Sequence, residues 1–269
     1  MSGTKFYKTL PVSGGAALEI SFENDGAFCR AHTTKAATPA EMATLHGIAL
    51  RLLGLYNDPA DFEARATREP EIARLVAARR GLRLPLAASP FEALVWAIIG
   101  QQINLSFAAA LRRALIEHCG EKIPGSAGST LRIHPSADRI AALEPAELTR
   151  LRFSGAKAAY LIEAARAVVG GKLPLMEWND ASALGIEAGL KNIRGIGPWT
   201  THYTLLRGFG FGDCLLAGDS GLATGLQRFL GLEQRPKPAE TLALMERFAP
   251  HRSFATCHLW ASIAKPQAL

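Results

Sequence analysis

The sequence predicts a mostly α-helical protein with a small α+β part at its N-terminus. Three observations predict it. After about residue 40, apolar residues recur at helical spacing in one segment after another, with almost no strand-like alternation. A weak period-two pattern is confined to the first 35 or so residues. The chain has 269 residues, 48% hydrophobic and 20% charged, enough for one large or two modest domains with a full core.

Taken in order, ALEISFEN and AFCRAHT flank Asn24-Asp25-Gly26 and read as a β-hairpin. Thr38-Pro39-Ala40-Glu41 combines a cap, a proline at the first helical position and an early carboxylate, so a helix continues through MATLHGIALRLLGLY. Asp61 to Arg83 reads as helical and basic, with Arg65, Arg68, Arg74, Arg79, Arg80 and Arg83 on a solvated face, and Pro85 closes the segment. A boundary placed there gives a small α+β domain over 1–80 and a helical domain over 81–269. Ser89-Pro90-Phe91-Glu92 opens a helix whose body, ALVWAII, is apolar nearly all round and is therefore core. It ends at Gly100, and Gln101, Gln102, Ile103 and Asn104 form a break before SFAAALRRALIEHCG. Pro135 to Val169 holds two or three short amphipathic helices broken near Ser154-Gly155. Trp178 to Ala188 then leads into a glycine-punctuated stretch, and Pro236 to Phe248 forms a surface helix.

Composition narrows the function. A net charge of +6 and a pI near 9.3 favour a polyanionic partner. Cys29, Cys119, Cys214 and Cys257 lie too far apart for a zinc or C-x-x-C motif, and read as reduced thiols of an intracellular protein. The N-terminus MSGTKFYKTLPVSGG has no apolar signal region and no apolar run is bilayer-length, so a cytoplasmic protein is expected. There is no H-E-x-x-H or dinucleotide fingerprint, and Gly170-Gly171-Lys172 lacks the Ser/Thr of a P-loop.

The richest stretch runs from Leu190 to Phe229: LKNIRGIGPWTTHYTLLRGFG, then CLLA, then GDSGLATGLQRF. Gly195 and Gly197 supply the positive φ or close backbone approach that a very short helix-to-helix turn requires, and Pro198 suits a helix start. Such a turn presents unpaired N–H groups, an anion site beside which Lys191 and Arg194 add charge. An ordinary αα-hairpin satisfies the same residues. Trp199, Tyr203 and Leu206 fall on one helical stripe, which by itself is as consistent with core as with a ligand pocket. Asp219 precedes a helix and reads first as its N-cap, a position that also suits a fixed anion.

Together these residues resemble the helix-hairpin-helix plus Gly/Pro-Asp (HhH-GPD) signature of the base-excision DNA glycosylases, and within it the 3-methyladenine type II (AlkA-like) branch. The hairpin residues are Leu190 to Thr200 and the closing aspartate is Asp219. GLRLPLAASPFEALVWAIIGQQINLSFAAAL resembles the family's first core helix and DNA-entering turn, Gly155-Ala156-Lys157 its G-x-K segment, and FAPHRSFATCHLW its closing helix. The resemblance implies a two-subdomain helical glycosylase fold and a shortened N-terminal domain. It implies Asp219 as catalytic carboxylate, stabilising an oxocarbenium-like sugar or orienting water. Trp199, Tyr203, Trp260 and Ser220 would line the pocket for a flipped, positively charged alkylpurine. Gly195, Ile196, Gly197, Arg194 and Lys191 would bind DNA, together with Gln101, Gln102 and Asn104. Of the last three, Gln102 is the best candidate to fill the hole left by the extruded base.

Trp199 stands where Schiff-base-forming relatives carry a lysine, which implies a monofunctional enzyme that leaves an abasic site. The clustered cysteines of the iron–sulphur relatives are absent, so no cluster or other metal is expected, beyond a monovalent cation at the hairpin carbonyls. The implied partner is damaged double-stranded DNA, met by a monomer, with no membrane role. Ser220 stands where a well-known relative has an aromatic, and Gly218 replaces a second acidic residue, which leaves a hypoxanthine-type preference open. The alternative from another class is a non-catalytic protein that binds damaged DNA through the hairpin.

Overall fold

A computed structural model describes residues 5–23, 26–123, 131–178 and 181–264. The N-terminal part is a three-stranded antiparallel sheet, order β1 (Lys5–Leu10), β2 (Ala16–Glu23), β3 (Gly26–Thr33). The expected hairpin corresponds to β2–β3, while Asn24 and Asp25 of its turn lie outside the described residues. β1 was not legible in the sequence. Its outer positions are set by cross-strand partners, Lys5 donating to Glu19 at 3.1 Å and the Tyr7 hydroxyl to the same carboxylate at 2.8 Å, not by a hydrophobic alternation of its own. The inner face, with Leu18 and Ile20, packs on α1 (Pro39–Leu53) through Leu45 and Ala49. α1 begins in the expected capping box of Thr38 and Glu41. It stops at Gly54, which adopts φ 69 where a Cβ would lie 2.6 Å from the Leu84 carbonyl.

The basic segment is not one helix. Pro70 divides it into α2 (Ala60–Ala64), a 3₁₀ turn, and α3 (Pro70–Val76), because proline cannot continue the preceding turn and extends Glu69 before it. Most of its arginines are exposed as expected, but Arg65 donates to the carbonyls of Arg247, Phe248 and Ala249, and Arg74 lies over the Phe229 ring at 4.4 Å. Phe62, Ile72, Leu75 and Val76 belong to the large core of the helical body. Hydrophobic packing thus divides the chain after α1, where the sequence had placed the boundary at residue 80.

The body is built around α4 (Pro90–Gly100), capped by Ser89 and buried at nearly every position. Each of its fully buried leucine and isoleucine side chains contributes roughly 1.5–3 kcal/mol of apolar transfer. Around it stand α5 (Leu105–Cys119), α6 (Ala137–Ala141), α7 (Pro145–Arg150), α8 (Gly155–Val169) and α9 (Ala183–Lys191). α10 (Pro198–Thr204) runs into a π-type turn over Leu205–Phe209. Close crossing of α4 on that turn needs Gly208, where a Cβ would sit 3.1 Å from the Pro90 Cα. α11 (Ser220–Leu230), α12 (Pro238–Met245) and α13 (Arg252–Ile263) complete the body. Gly225 lets α11 approach α13, since a Cβ there would lie 2.9 Å from both the side chain and the carbonyl of Leu259. Among the described residues no helix is long and apolar enough to cross a membrane.

Candidate functional site

A cleft of about 1300 Å³ opens between three backbone segments: the turn 100–104 after α4, the hairpin 191–200 between α9 and α10, and the segment 217–220 at the head of α11. Every residue that the sequence singled out on those three segments lines it: Gln101, Gln102, Asn104, Lys191, Arg194, Gly195, Ile196, Gly197, Trp199, Asp219 and Ser220. Tyr203 and Trp260 join from behind through ring contacts. Trp199 and Tyr203 lie 5.2 Å apart between centroids and Tyr203 and Trp260 6.3 Å, both pairs tilted.

Asp219 is the N-cap of α11, as its position before the helix predicted; its Oδ1 accepts from the Leu222 N–H at 2.6 Å. The same oxygen accepts from the Trp260 indole N–H at 2.9 Å, and Oδ2 accepts from the Trp199 indole N–H at 3.0 Å. Three donors from α10, α11 and α13 therefore fix one carboxylate at the cleft wall. A lone-pair position remains on Oδ2. Gly221 is part of this fit, because a Cβ there would come within 3.1 Å of the Trp260 ring and 3.2 Å of Asp219 Oδ1. Burial pushes the Tyr203 phenol above its ordinary range, which keeps it protonated.

Sequence reading missed Trp96, which it absorbed into the core stripe of α4. Its indole N–H is a hydrogen-bonding neighbour of the Tyr203 hydroxyl, and the Arg112 guanidinium lies 5.7 Å over its ring. No local pattern marked it, and only the structure shows that Trp96 and Gly100, one turn apart, are the half-buried positions of a helix otherwise buried from Pro90 to Ile99, with the missing Cβ of Gly100 facing the Trp199 ring at 3.8 Å.

In the hairpin the two glycines differ. Gly195 has φ 83 and packs so tightly on Tyr160 that a Cβ would lie 2.2 Å from its ring. Gly197 is the extended N-cap of α10 with φ −88, and a Cβ there would meet no protein atom within 4 Å. Positive φ is thus required only of Gly195, while at Gly197 the missing side chain leaves open space in the cleft. The amides of Ile193 and Ile196 close the turn onto Leu190 and Ile193. Those of Gly195 and Gly197 find no backbone acceptor among the described residues, and the first-turn amides of Trp199 and Thr200 have none by helix geometry. These N–H groups are the donors that the expected anion site would use.

Other expected contacts are modified by their neighbours. Ile196 is buried in the core, so only its backbone is offered. Lys191 is paired with Glu187 at 2.5 Å, whereas Arg194 is exposed with no ion pair among the described residues. Asn104 caps α5, its Oδ1 accepting from Phe107 N–H at 2.9 Å. Gln102 is exposed in the left-handed region at φ 55. His202 accepts from the Leu215 N–H at 3.3 Å, and burial holds its imidazole below the usual range. No group of three or more His, Cys, Asp or Glu side chains among the described residues could hold a metal ion.

A helical body carrying a glycine-turn hairpin beside an indole-clamped carboxylate defines a class of protein, and the comparisons identify it. Residues 95–251 match the family of HhH-GPD superfamily base excision DNA repair proteins, and the chain belongs to that family. It is 34% identical over 209 residues to the DNA-3-methyladenine glycosylase of Bacillus subtilis, covering 77% of this chain and 68% of that one. With DNA-3-methyladenine glycosylase 2 of Escherichia coli it shares 34% over 192 residues, 70% of this chain and 63% of that one. The chain thus spans about two thirds of these relatives' length. Its fold is similar to that of the 3-methyladenine DNA-glycosylase from Archaeoglobus fulgidus, with a TM-score of 0.79 at 20% identity over 94% of this chain and 85% of that one.

Proposed function

We propose that this protein removes alkylated purines of the 3-methyladenine and 7-methylguanine type from double-stranded DNA. It hydrolyses the N-glycosidic bond of a flipped nucleotide and leaves an abasic site. The observation that carries this reading is the Asp219 carboxylate, held by the indole N–H groups of Trp199 and Trp260 at the wall of the cleft. Phosphates of the damaged strand bind the hairpin amides and Arg194, which places one sugar near that carboxylate. Gln102, exposed at the cleft, fills the gap in the stack. The base lodges against the aromatic group formed by Trp199, Tyr203 and Trp260. A ring alkylated at N3 or N7 is positively charged, so each good face contributes ~0.5–2 kcal/mol that an undamaged base does not collect.

As the glycosidic bond breaks, electrons leave with the base and positive charge develops on the sugar ring. Asp219 stabilises that charge through its remaining Oδ2 lone pair and orients the water that adds to the sugar carbon. The departing base is already cationic, so it leaves neutral and needs no strong acid. Trp199 supplies no amine for a Schiff base, and the Lys191 amine is paired with Glu187, so strand cleavage is not part of the reaction. A monovalent cation would find neutral oxygens at the hairpin. The Ile193 and Gly195 carbonyls each accept one internal hydrogen bond and keep a second lone pair.

The test is incubation with methylated duplex and chromatography of released bases. Wild type should free 3-methyladenine and form no borohydride-trapped adduct. Asp219→Asn keeps an oxygen for the helix cap and should lose about 10²–10³-fold in rate, the scale of removing one preorganised charge stabiliser, while still binding damaged DNA. Full activity in that variant would overturn the mechanism. Tight damage-dependent binding with no base released by wild type would leave a recognition protein instead.

A further inference from the structure

Gln101 lines the cleft, yet its amide is engaged within the protein. Nε2 donates to the Gly195 carbonyl and to the Thr200 hydroxyl, both at 2.9 Å. Gly195 fixes which end is nitrogen, because a carbonyl can only accept. The atom left over is Oε1, an acceptor that cannot bond to a phosphate oxygen. Its two partners stand on either side of the hairpin. Gly195 is the left-handed residue wedged on Tyr160, and Thr200 is a first-turn residue of α10 with 2% exposure. One side chain therefore ties the turn 100–104 to both arms of the anion site.

The residue just before that turn is held as well. Lys157, 8% exposed, donates from Nζ to the Ile99 carbonyl at 2.7 Å. This places a cation at the C-terminal end of α4, where the helix carries its partial negative charge. Directly after the two ties Gln102 adopts φ 55, a conformation that a non-glycine residue keeps only where its surroundings over-determine it.

We propose that Gln101 is a positioning residue that bolts the 100–104 turn to the hairpin, while Lys157 anchors the end of α4 from which the turn departs, so that Gln102 and the phosphate-binding amides form one rigid unit. Its consequence for catalysis rests on the glycosylase reading above; the brace itself does not. A duplex entering the cleft meets a wedge and a phosphate grip already in register, and less ordering remains to be done on binding.

Hydrogen exchange on the free protein tests the brace without DNA. In Gln101→Ala, the bonded amides of Ile196 and Thr201 in the hairpin and of residue 101 at the turn should exchange about tenfold faster, the effect of losing one or two net hydrogen bonds, with α8 and α13 unchanged. Exchange that is unaltered in both loops, or that rises in step everywhere, overturns the proposal whether or not the protein excises bases. Binding to a duplex with an abasic analogue then separates a brace from a direct contact. Thr200→Val removes one buried acceptor and should reproduce part of the Gln101→Ala loss, and the double variant should be no weaker than Gln101→Ala alone. Gln101→Glu preserves size but cannot donate to Gly195, so it should lose as much as alanine. A silent Thr200→Val, or a Gln101→Glu that behaves as wild type, overturns the brace.

Discussion

Asp219 does three jobs with one carboxylate: it caps α11, it receives two indoles, and it faces the cleft. The tryptophans are thereby given a second role beyond stacking, since their N–H edges orient the anion. Trp199→Phe and Trp260→Phe keep a ring and remove that N–H. Each should slow single-turnover base release by about 10-fold or more, given ~1.5–3 kcal/mol for a hydrogen bond to a charged group, with a smaller loss in affinity for an abasic duplex. A rate loss no larger than the affinity loss would return both residues to a purely stacking role. Gly221→Ala should act on the same contact by pressing the new methyl against Trp260 and Asp219. It should lower the release rate more than the melting temperature, because alanine also gains ~1 kcal/mol of helix propensity. The cap, the hairpin glycines and the Trp199–Tyr203 stripe were legible in the sequence because each is a local pattern of a few residues. The indole bond from Trp260, forty-one positions away, was not, and neither was Trp96, whose role depends on where α4 crosses α10.

The elements place these residues by close approach. The π-type turn that ends α10 and the Gly225 crossing of α11 on α13 bring Trp199, Asp219 and Trp260 to one point. The hairpin glycines separate fold from function. Gly195→Ala forces a side chain into Tyr160 from a left-handed backbone and should destabilise by roughly 1–3 kcal/mol in urea unfolding. Gly197→Ala should leave unfolding unchanged within ~0.5 kcal/mol and still weaken binding to damaged duplex, because its methyl would occupy only the open cleft. Equal effects of the two substitutions on stability would contradict this division.

At the scale of the molecule, the sheet is fastened to the body by charge as well as by packing. Lys8 of β1 and Arg112 of α5 both pair with the buried Glu92 of α4. Burial pushes that carboxyl up, but Lys8, His134 and Arg112 outweigh it and hold it below the usual carboxylate range. Burial also drives the neighbouring His134 imidazole down to about 4. The unfolded chain protonates that histidine near pH ~6.5, so its contribution is intact above that pH, is lost progressively as the pH falls toward 4, and then levels off. His134→Gln should therefore flatten the fall in unfolding free energy between pH 6.5 and 4.5 by up to one proton's worth. The rest of the slope belongs to groups such as His202, His251 and His258, which burial also lowers. An unchanged slope in the variant would contradict this. The Glu92 contribution is lost only at still lower pH, as the carboxyl itself is protonated.

Helical spacing, cap residues and the Gly-Ile-Gly turn determined the class of fold, the hairpin and the carboxylate at the head of α11, because those signals act over one or two turns of backbone. The three-dimensional packing decided the rest: that β1 joins the sheet, that α2 and α3 belong to the body, that Gln101 faces inward to the hairpin, and that two indoles converge on Asp219. Each of those depends on which side chains meet across elements distant in sequence. That is a property of the closed core, and no local stretch of the chain encodes it alone.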